Sequence, residues 1–146
     1  MQIKQVRWVQ ATLLYLGVTN VFPGIWALFL PHSFYTSFPG LGRVWVAIDG
    51  PYNEHLIRDV GGFFLALAVL SFLTLLAPRL VSVRATAICL LTFNLPHLLY
   101  HLAHLHMLPF IDQAGNVAAL SAGVLLPILL LLHRPIFKQS PQSLLP

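Results

Sequence analysis

Four long apolar blocks, separated by short polar stretches, run along the chain. They cover residues of about 8–30, 56–77, 85–108 and 117–133. A helix needs about 20 residues to cross a hydrocarbon core roughly 30 Å thick, and the blocks reach or approach that length. In lipid every backbone polar group must be satisfied inside the protein, which leaves only helices and closed barrels. Because the blocks lack the two-residue alternation of barrel strands, we predict four transmembrane helices.

Composition agrees with a membrane protein and excludes other classes. Apolar residues make up 58% of the chain and charged residues 8%, whereas soluble domains average about 45–50% and about 25%. Cys89 is the single cysteine, so an internal disulfide framework is impossible. The net charge is only +4 and the basic residues are dispersed, so nucleic-acid binding is not expected.

The basic residues predict the orientation of the chain. If all four blocks cross, six of the eight lie on one side: Lys4, Arg7, Arg79, Arg84, Arg134 and Lys138. Positive residues are retained on the cytoplasmic side. We therefore predict an all-α fold, an antiparallel bundle of four transmembrane helices with both termini cytoplasmic. Residues 1–7 form the N-terminus, 8–133 the membrane domain and 134–146 a disordered tail, while the outer loop carries a short interfacial helix or turn at 41–48.

Polar side chains gather at two places within the apolar blocks. Such groups are costly in a membrane and are therefore candidates for function. They are Glu54, His55, Arg58 and Asp59 at the start of the second block and Asn94, His97, His101 and His104 in the third. At 100° per residue, the four groups of the third block lie within an arc of about 80° on one helix face. They therefore form a polar stripe.

Counting from the link between the second and third blocks places the two groups together. The link is short, at residues 78–84, so the two helices should be antiparallel neighbours. At 1.5 Å per residue, Asp59 then falls within about one turn of His101 and His104 in depth. Pro96 weakens the third helix beside the stripe and can open room for a ligand. The sequence thus predicts a polar site in the outer half of spans two and three.

Several chemistries fit this site. Imidazole is a common ligand of transition metals, and two of the three stripe histidines could share an ion with Asp59 or His55. A haem ligand is a related possibility. The stripe can also relay protons or recognise a quinone or a lipid headgroup. The structural alternative is that these groups hold the helices together through hydrogen bonds.

Two short segments resemble the DoxX-like group of small four-helix bacterial membrane proteins. They are GIWALFLP at 24–31 and, after a loop, NEHLIRDVGG at 53–62. The resemblance in architecture covers residues 10–132 and implies a four-helix membrane protein. The namesake of the group is associated with a quinone-reducing sulfur oxidoreductase, and other members are linked to redox homeostasis. The resemblance does not assign the histidines of the third block, so it supplies no catalytic residue.

Three functions follow as hypotheses. The first is a redox-associated subunit of the cell membrane that binds a transition metal, haem or quinone, with other membrane redox subunits or a second copy as partners in the lipid bilayer. The second is a non-catalytic scaffold or partner subunit whose polar groups are structural. The third is a small proton-linked transporter, although four short spans without inverted repeats leave little room for alternating access.

Overall fold

The computed structural model describes residues 6–133, and this part of the chain is mostly helical. Its elements are α1 (Arg7–Phe29), α2 (Pro31–Ser37), β1 (Pro39–Gly40), β2 (Arg43–Val44), α3 (Glu54–Leu76), α4 (Val83–His104), a 3-10 turn (Leu105–Met107) and α5 (Phe110–Leu132). Four helices are long and apolar enough to cross a membrane: α1, α3, α4 with its 3-10 turn, and α5. The predicted mostly helical fold with four such helices is confirmed. Residues 1–5 and the tail predicted at 134–146 lie outside the described residues.

The segment between α1 and α3 has a turn within residues 41–48, one of the two expected alternatives, and a short helix elsewhere. The short helix lies at Pro31–Ser37, with proline at its first position, where a missing N–H costs nothing. Residues 41–48 hold the turn and second strand of a hairpin, in which Pro39 pairs with Val44 and Gly40 with Arg43. The backbone of Gly40 and Gly42 has positive φ, which a tight turn needs and glycine adopts readily.

Helix α1 packs closely along α3 because glycines remove the side chains between them. A Cβ atom added at Gly61 would lie 2.5 Å from the backbone nitrogen of Leu28. A Cβ at Gly24 would lie 2.9 Å from the side chain of Leu65. Small residues allow close helix approach in membranes, where dispersion contacts provide much of the association energy. Arg58 adds a hydrogen bond from its guanidinium to the carbonyl of Leu28.

The other close pair is α4 with α5, whereas α3 makes few contacts with α4. The expected close packing of the second and third spans is thus limited to scattered contacts, such as Phe64 against Phe93 and the buried hydrogen bond between Thr74 and Thr86. The physical reason is that the tight glycine contact commits a face of α3 to α1. A short link between two helices did not make them the closest partners.

The two helix pairs meet in an apolar core near one end of the molecule. Its buried residues come from all four long helices: Val9, Leu13, Leu16, Leu67, Ala87, Leu90 and Leu130. These positions lie toward the beginning of α1 and α4 and toward the end of α3 and α5. Beyond this core the pairs separate, and the space between them is the cavity described next.

Candidate ligand cavity

A cavity of about 360 Å³ lies between the two helix pairs. All four long helices and the segment between α1 and α3 contribute to its wall. Most of the wall is apolar, and its polar or polar-tipped side chains are Tyr15, Thr19, Asn20, Trp45, Asp49, Asn94, His97, His101 and Asn116. Cavities of roughly 300–1,000 Å³ with an apolar wall and a few polar groups are typical of small-molecule sites.

Helix α4 brings three of the predicted site residues to this wall. Asn94, His97 and His101 all line the cavity. The rings of His97 and His101 are 4.6 Å apart, since residues four apart share a helix face. His97 also stacks on the ring of Phe93 at a centroid distance of 5.1 Å. Two imidazoles and an amide therefore form the α4 side of the cavity.

His104 lies outside the wall, at the end of α4. Its ring stacks on Tyr100 with centroids 4.2 Å apart. Its Nδ1 lies 2.8 Å from the carbonyl oxygen of Tyr100, one helical turn earlier. His104 is therefore engaged with its own helix end rather than with the cavity.

The predicted polar residues of α3 lie on another face of that helix. His55 Nδ1 is 2.8 Å from Asp59 Oδ2, and these two side chains are 84% and 64% exposed. Arg58 and Glu54 form a second pair at 2.8 Å. The cavity-facing residues of α3 are instead Leu56, Ile57, Val60 and Phe64. The structure does not bring Asp59 or His55 to the histidines of α4, because the helix turns both away from the cavity.

A metal centre is accordingly not assembled in residues 6–133. No group of three or more His, Cys, Asp or Glu side chains comes together there as an ion would require. His97 and His101 are adjacent, but a typical transition-metal site needs three or four ligands. The set of His97, His101, His104 and Asp59 expected from the sequence does not fit a metal ion in this arrangement.

Two amide side chains in the wall each have one buried atom without a hydrogen-bond partner among the described residues. They are Asn94 Nδ2 and Asn116 Oδ1. The residues are only 9% and 3% exposed. An unsatisfied buried polar group costs about 1–3 kcal/mol, so such groups usually have a function or a bound partner. By contrast, Asn20 donates from Nδ2 to the carbonyl of Leu16 at 2.7 Å.

Asn116 was not among the residues predicted from the sequence. The fourth block was taken to begin at residue 117, whereas α5 begins at Phe110. The first turns of α5 contain the charged Asp112, so a search for apolar stretches does not include them. An amide directly before an apolar block was the available signal.

Asp49 is the carboxylate that accompanies the histidines in place of Asp59. It lies in the segment before α3 and lines the mouth of the cavity. Partial burial raises the pKa of Asp49 above its ordinary value, and the nearby His101 and His104 oppose this rise. The position of Asp49 depends on the fold of the segment between α1 and α3, and residue spacing along the chain does not predict that fold.

An ion pair fixes the same segment to α5. Arg43 Nη1 lies 2.6 Å from Asp112 Oδ1, and Trp45 Nε1 donates to the same oxygen at 2.9 Å. Asp112 is only 6% exposed. The Trp45 ring lies beside Gly115, where a Cβ would be 3.4 Å away. These contacts hold the Trp45 side chain in the wall and tie the segment between α1 and α3 to α5.

No family model, curated protein or solved structure matches this chain. The side chains of the cavity wall are therefore the basis for assigning a ligand. They offer amide, imidazole and hydroxyl groups, with Asp49 as the one carboxyl group, in an otherwise apolar space. This chemistry suits an uncharged molecule with few polar atoms.

Proposed function

We propose that this chain is a multi-pass protein of the cell membrane that binds a small, largely apolar molecule in the cavity between its helix pairs. The single observation that carries the proposal is a cavity of about 360 Å³ with two buried, unpartnered amides in its wall. In this proposal the four long helices cross the bilayer as an antiparallel bundle with both ends cytoplasmic, as the basic residues favour.

The balance of the wall supports an apolar ligand. Phe34, Phe38, Val60, Phe64 and Leu120 surround the space with ring and aliphatic surface. A molecule that partitions into the bilayer gains little by moving from lipid into such a cavity through apolar contact alone. Its hydrogen bonds to the amides provide the preference for the protein over lipid.

A redox role is the second candidate function, and the two histidines favour it. His97 and His101 line the same space as the amides. Imidazole donates and accepts protons near neutral pH, and the reduction of a quinone consumes protons. A quinone bound here would meet both a hydrogen-bond donor and a proton donor, with another membrane redox subunit or a second copy of the chain as the electron partner. Membership of the DoxX-like group remains part of this proposal.

A metal or haem fits this candidate less well than an organic ligand. The ligand set for an ion is not assembled in the described residues. A haem macrocycle is large for a space of about 360 Å³, at the low end of the roughly 300–1,000 Å³ of small-molecule sites. We therefore restrict the redox candidate to an organic carrier.

The main test fills the cavity and compares a neighbouring position. Ala119 lines the cavity and Ala118 does not. We expect wild type and Ala118→Phe to retain a non-phospholipid small molecule through purification, detectable by mass spectrometry of the organic extract. Ala119→Phe should lose it. If no such molecule accompanies any of the three proteins, and added apolar probes leave their thermal stability unchanged, the scaffold hypothesis replaces ours.

The redox candidate has its own measurement. A naphthoquinone such as menadione should show a shifted absorption spectrum on binding wild-type protein in nanodiscs. His101→Leu should reduce the shift, while His55→Leu, which changes an exposed histidine outside the cavity, should leave it unchanged. Equal spectra for both variants would remove the redox candidate. Proton flux into liposomes driven by a ligand gradient would instead favour the transporter hypothesis.

A further inference from the structure

The two unpartnered amides lie at different depths in the cavity. The side-chain carbon of Asn94 would be 3.4 Å from a Cβ at Gly123, so Asn94 lies at the level of Gly123 on α5. Asn116 is on α5 itself, seven residues before Gly123. Seven residues are almost two helical turns, so Asn116 faces the same side as Gly123 and lies about 10 Å from it along the axis.

The wall between these two levels is mostly apolar, and His97, one turn after Asn94 on α4, is its polar exception. Ala119 and Leu120 lie between Asn116 and Gly123 on α5, and Phe64 contributes from α3. The cavity therefore has an amide at each of two separated levels and a mostly apolar wall between them. A ligand that satisfies both amides needs a polar atom near each level and an apolar body that joins them.

The two unpartnered atoms have different requirements: the N–H of Asn94 needs an acceptor, and the amide oxygen of Asn116 needs a donor. Neither Asn94 nor Asn116 has a hydrogen-bond partner for its buried atom within residues 6–133. A carboxamide offers both N–H donors and a carbonyl acceptor. A hydroxyl or carbonyl oxygen of the ligand can therefore accept from Asn94, whereas a hydroxyl is needed to donate to Asn116.

We infer that the ligand is a rigid, elongated polycyclic lipid of the steroid or terpenoid type, with a hydroxyl at the Asn116 end and a hydroxyl or carbonyl oxygen at the Asn94 end. This inference rests on the proposed function, because it names the class of molecule that the cavity holds. A fused-ring frame keeps its two oxygens apart without losing conformational freedom on binding. A single-ring quinone carries its oxygens much closer together and reaches one amide at a time.

The experiment varies the ligand before it varies the protein. Full-length protein in nanodiscs is titrated with estradiol, which has a hydroxyl at each end, and with its two analogues that each lack one hydroxyl. Binding is followed by tryptophan fluorescence, since Trp45 lines the cavity, and empty nanodiscs measure partition into lipid. We expect each missing hydroxyl to weaken binding about tenfold, the equivalent of one lost hydrogen bond.

Variants then assign the two ends. In Asn94→Leu one of the analogues should bind as tightly as the diol, and in Asn116→Leu the other analogue should do so. Ala118→Phe, outside the cavity wall, should repeat the wild-type series. Because the ligand series needs only wild-type protein, a variant that fails to fold leaves the test intact.

The outcomes separate this inference from the proposed function. If estradiol and its analogues bind equally well, and Ala119→Phe abolishes binding of all of them, the cavity binds apolar molecules but the requirement for two ends is wrong. If menadione binds while the steroids do not, the cavity also stands and the rigid two-ended ligand is overturned. If none of these probes binds above the empty nanodisc, both proposals fail.

Discussion

The neighbouring glycines Gly61 and Gly62 provide a direct test of the packing between α1 and α3. A Cβ at Gly61 would lie 2.5 Å from the nitrogen and 2.9 Å from the Cα of Leu28. At Gly62 nothing lies within 4 Å of the added atom. Substitution by alanine therefore adds the same methyl group at a crowded position and at an open one. We expect Gly61→Ala to destabilise the protein and Gly62→Ala to stabilise it.

The size of the difference follows from two opposing effects. Alanine favours a helix over glycine by about 1 kcal/mol, and both substitutions gain this amount. Overpacking costs about 1–3 kcal/mol, and the upper value applies at Gly61 because the contacted atoms belong to helix backbone and cannot rotate away. The net change is about 2 kcal/mol of destabilisation for Gly61→Ala, against about 1 kcal/mol of stabilisation for Gly62→Ala.

Thermal unfolding of the purified proteins in one detergent, followed by circular dichroism, measures this difference. The midpoint of Gly61→Ala should fall several degrees below wild type, whereas that of Gly62→Ala should equal or exceed it. The reasoning is refuted if Gly61→Ala is as stable as Gly62→Ala. Helices α1 and α3 would then not approach as closely as the structure has them.

Three further predictions concern polar groups. Asp112→Asn weakens the two charge-assisted hydrogen bonds to the segment between α1 and α3, so it should lower the thermal unfolding midpoint and speed proteolysis of residues 39–45. Burial raises the pKa of Asp49 above its ordinary value of 3.8, so the wild-type protein loses stability as the pH rises through that raised pKa. Asp49→Asn should therefore have a higher thermal unfolding midpoint than wild type at neutral pH. A difference between the two midpoints that persists below pH 3.8 would contradict this. Thr86→Val removes a buried hydroxyl, but the hydroxyl of Thr74 keeps its bond to a helix carbonyl, so calorimetry should detect a loss of only about 1 kcal/mol.

The four long helices could be predicted because the bilayer leaves the backbone few alternatives. An apolar stretch of the right length must satisfy its own hydrogen bonds, and that constraint is local to each block. The shared face of His97 and His101 is local in the same sense, since spacing along one helix determines it. Both could be read from residues close together in the chain.

The arrangement between helices could not be read in the same way. The spacing of Gly24 and Gly61 in the sequence does not reveal that Gly24 contacts α3 and Gly61 contacts α1. Depth counting placed Asp59 at the level of the histidines without determining the direction in which it points. Asp49 is the acid that lines the cavity, and Asp112 pairs with the segment between α1 and α3. Both arrangements depend on how that segment folds.

The separation into two helix pairs has a consequence for assembly in the membrane. Each pair joins helices that are consecutive crossings, so each can form as soon as its second member has been inserted. The cavity forms only when the α1–α3 pair packs against the α4–α5 pair, across an interface with few contacts. A molecule that occupies this interface adds RT ln(1 + [L]/Kd) to the stability of the docked form. If the proposed ligand binds there, the abundance of the mature protein in cells should follow the supply of that ligand.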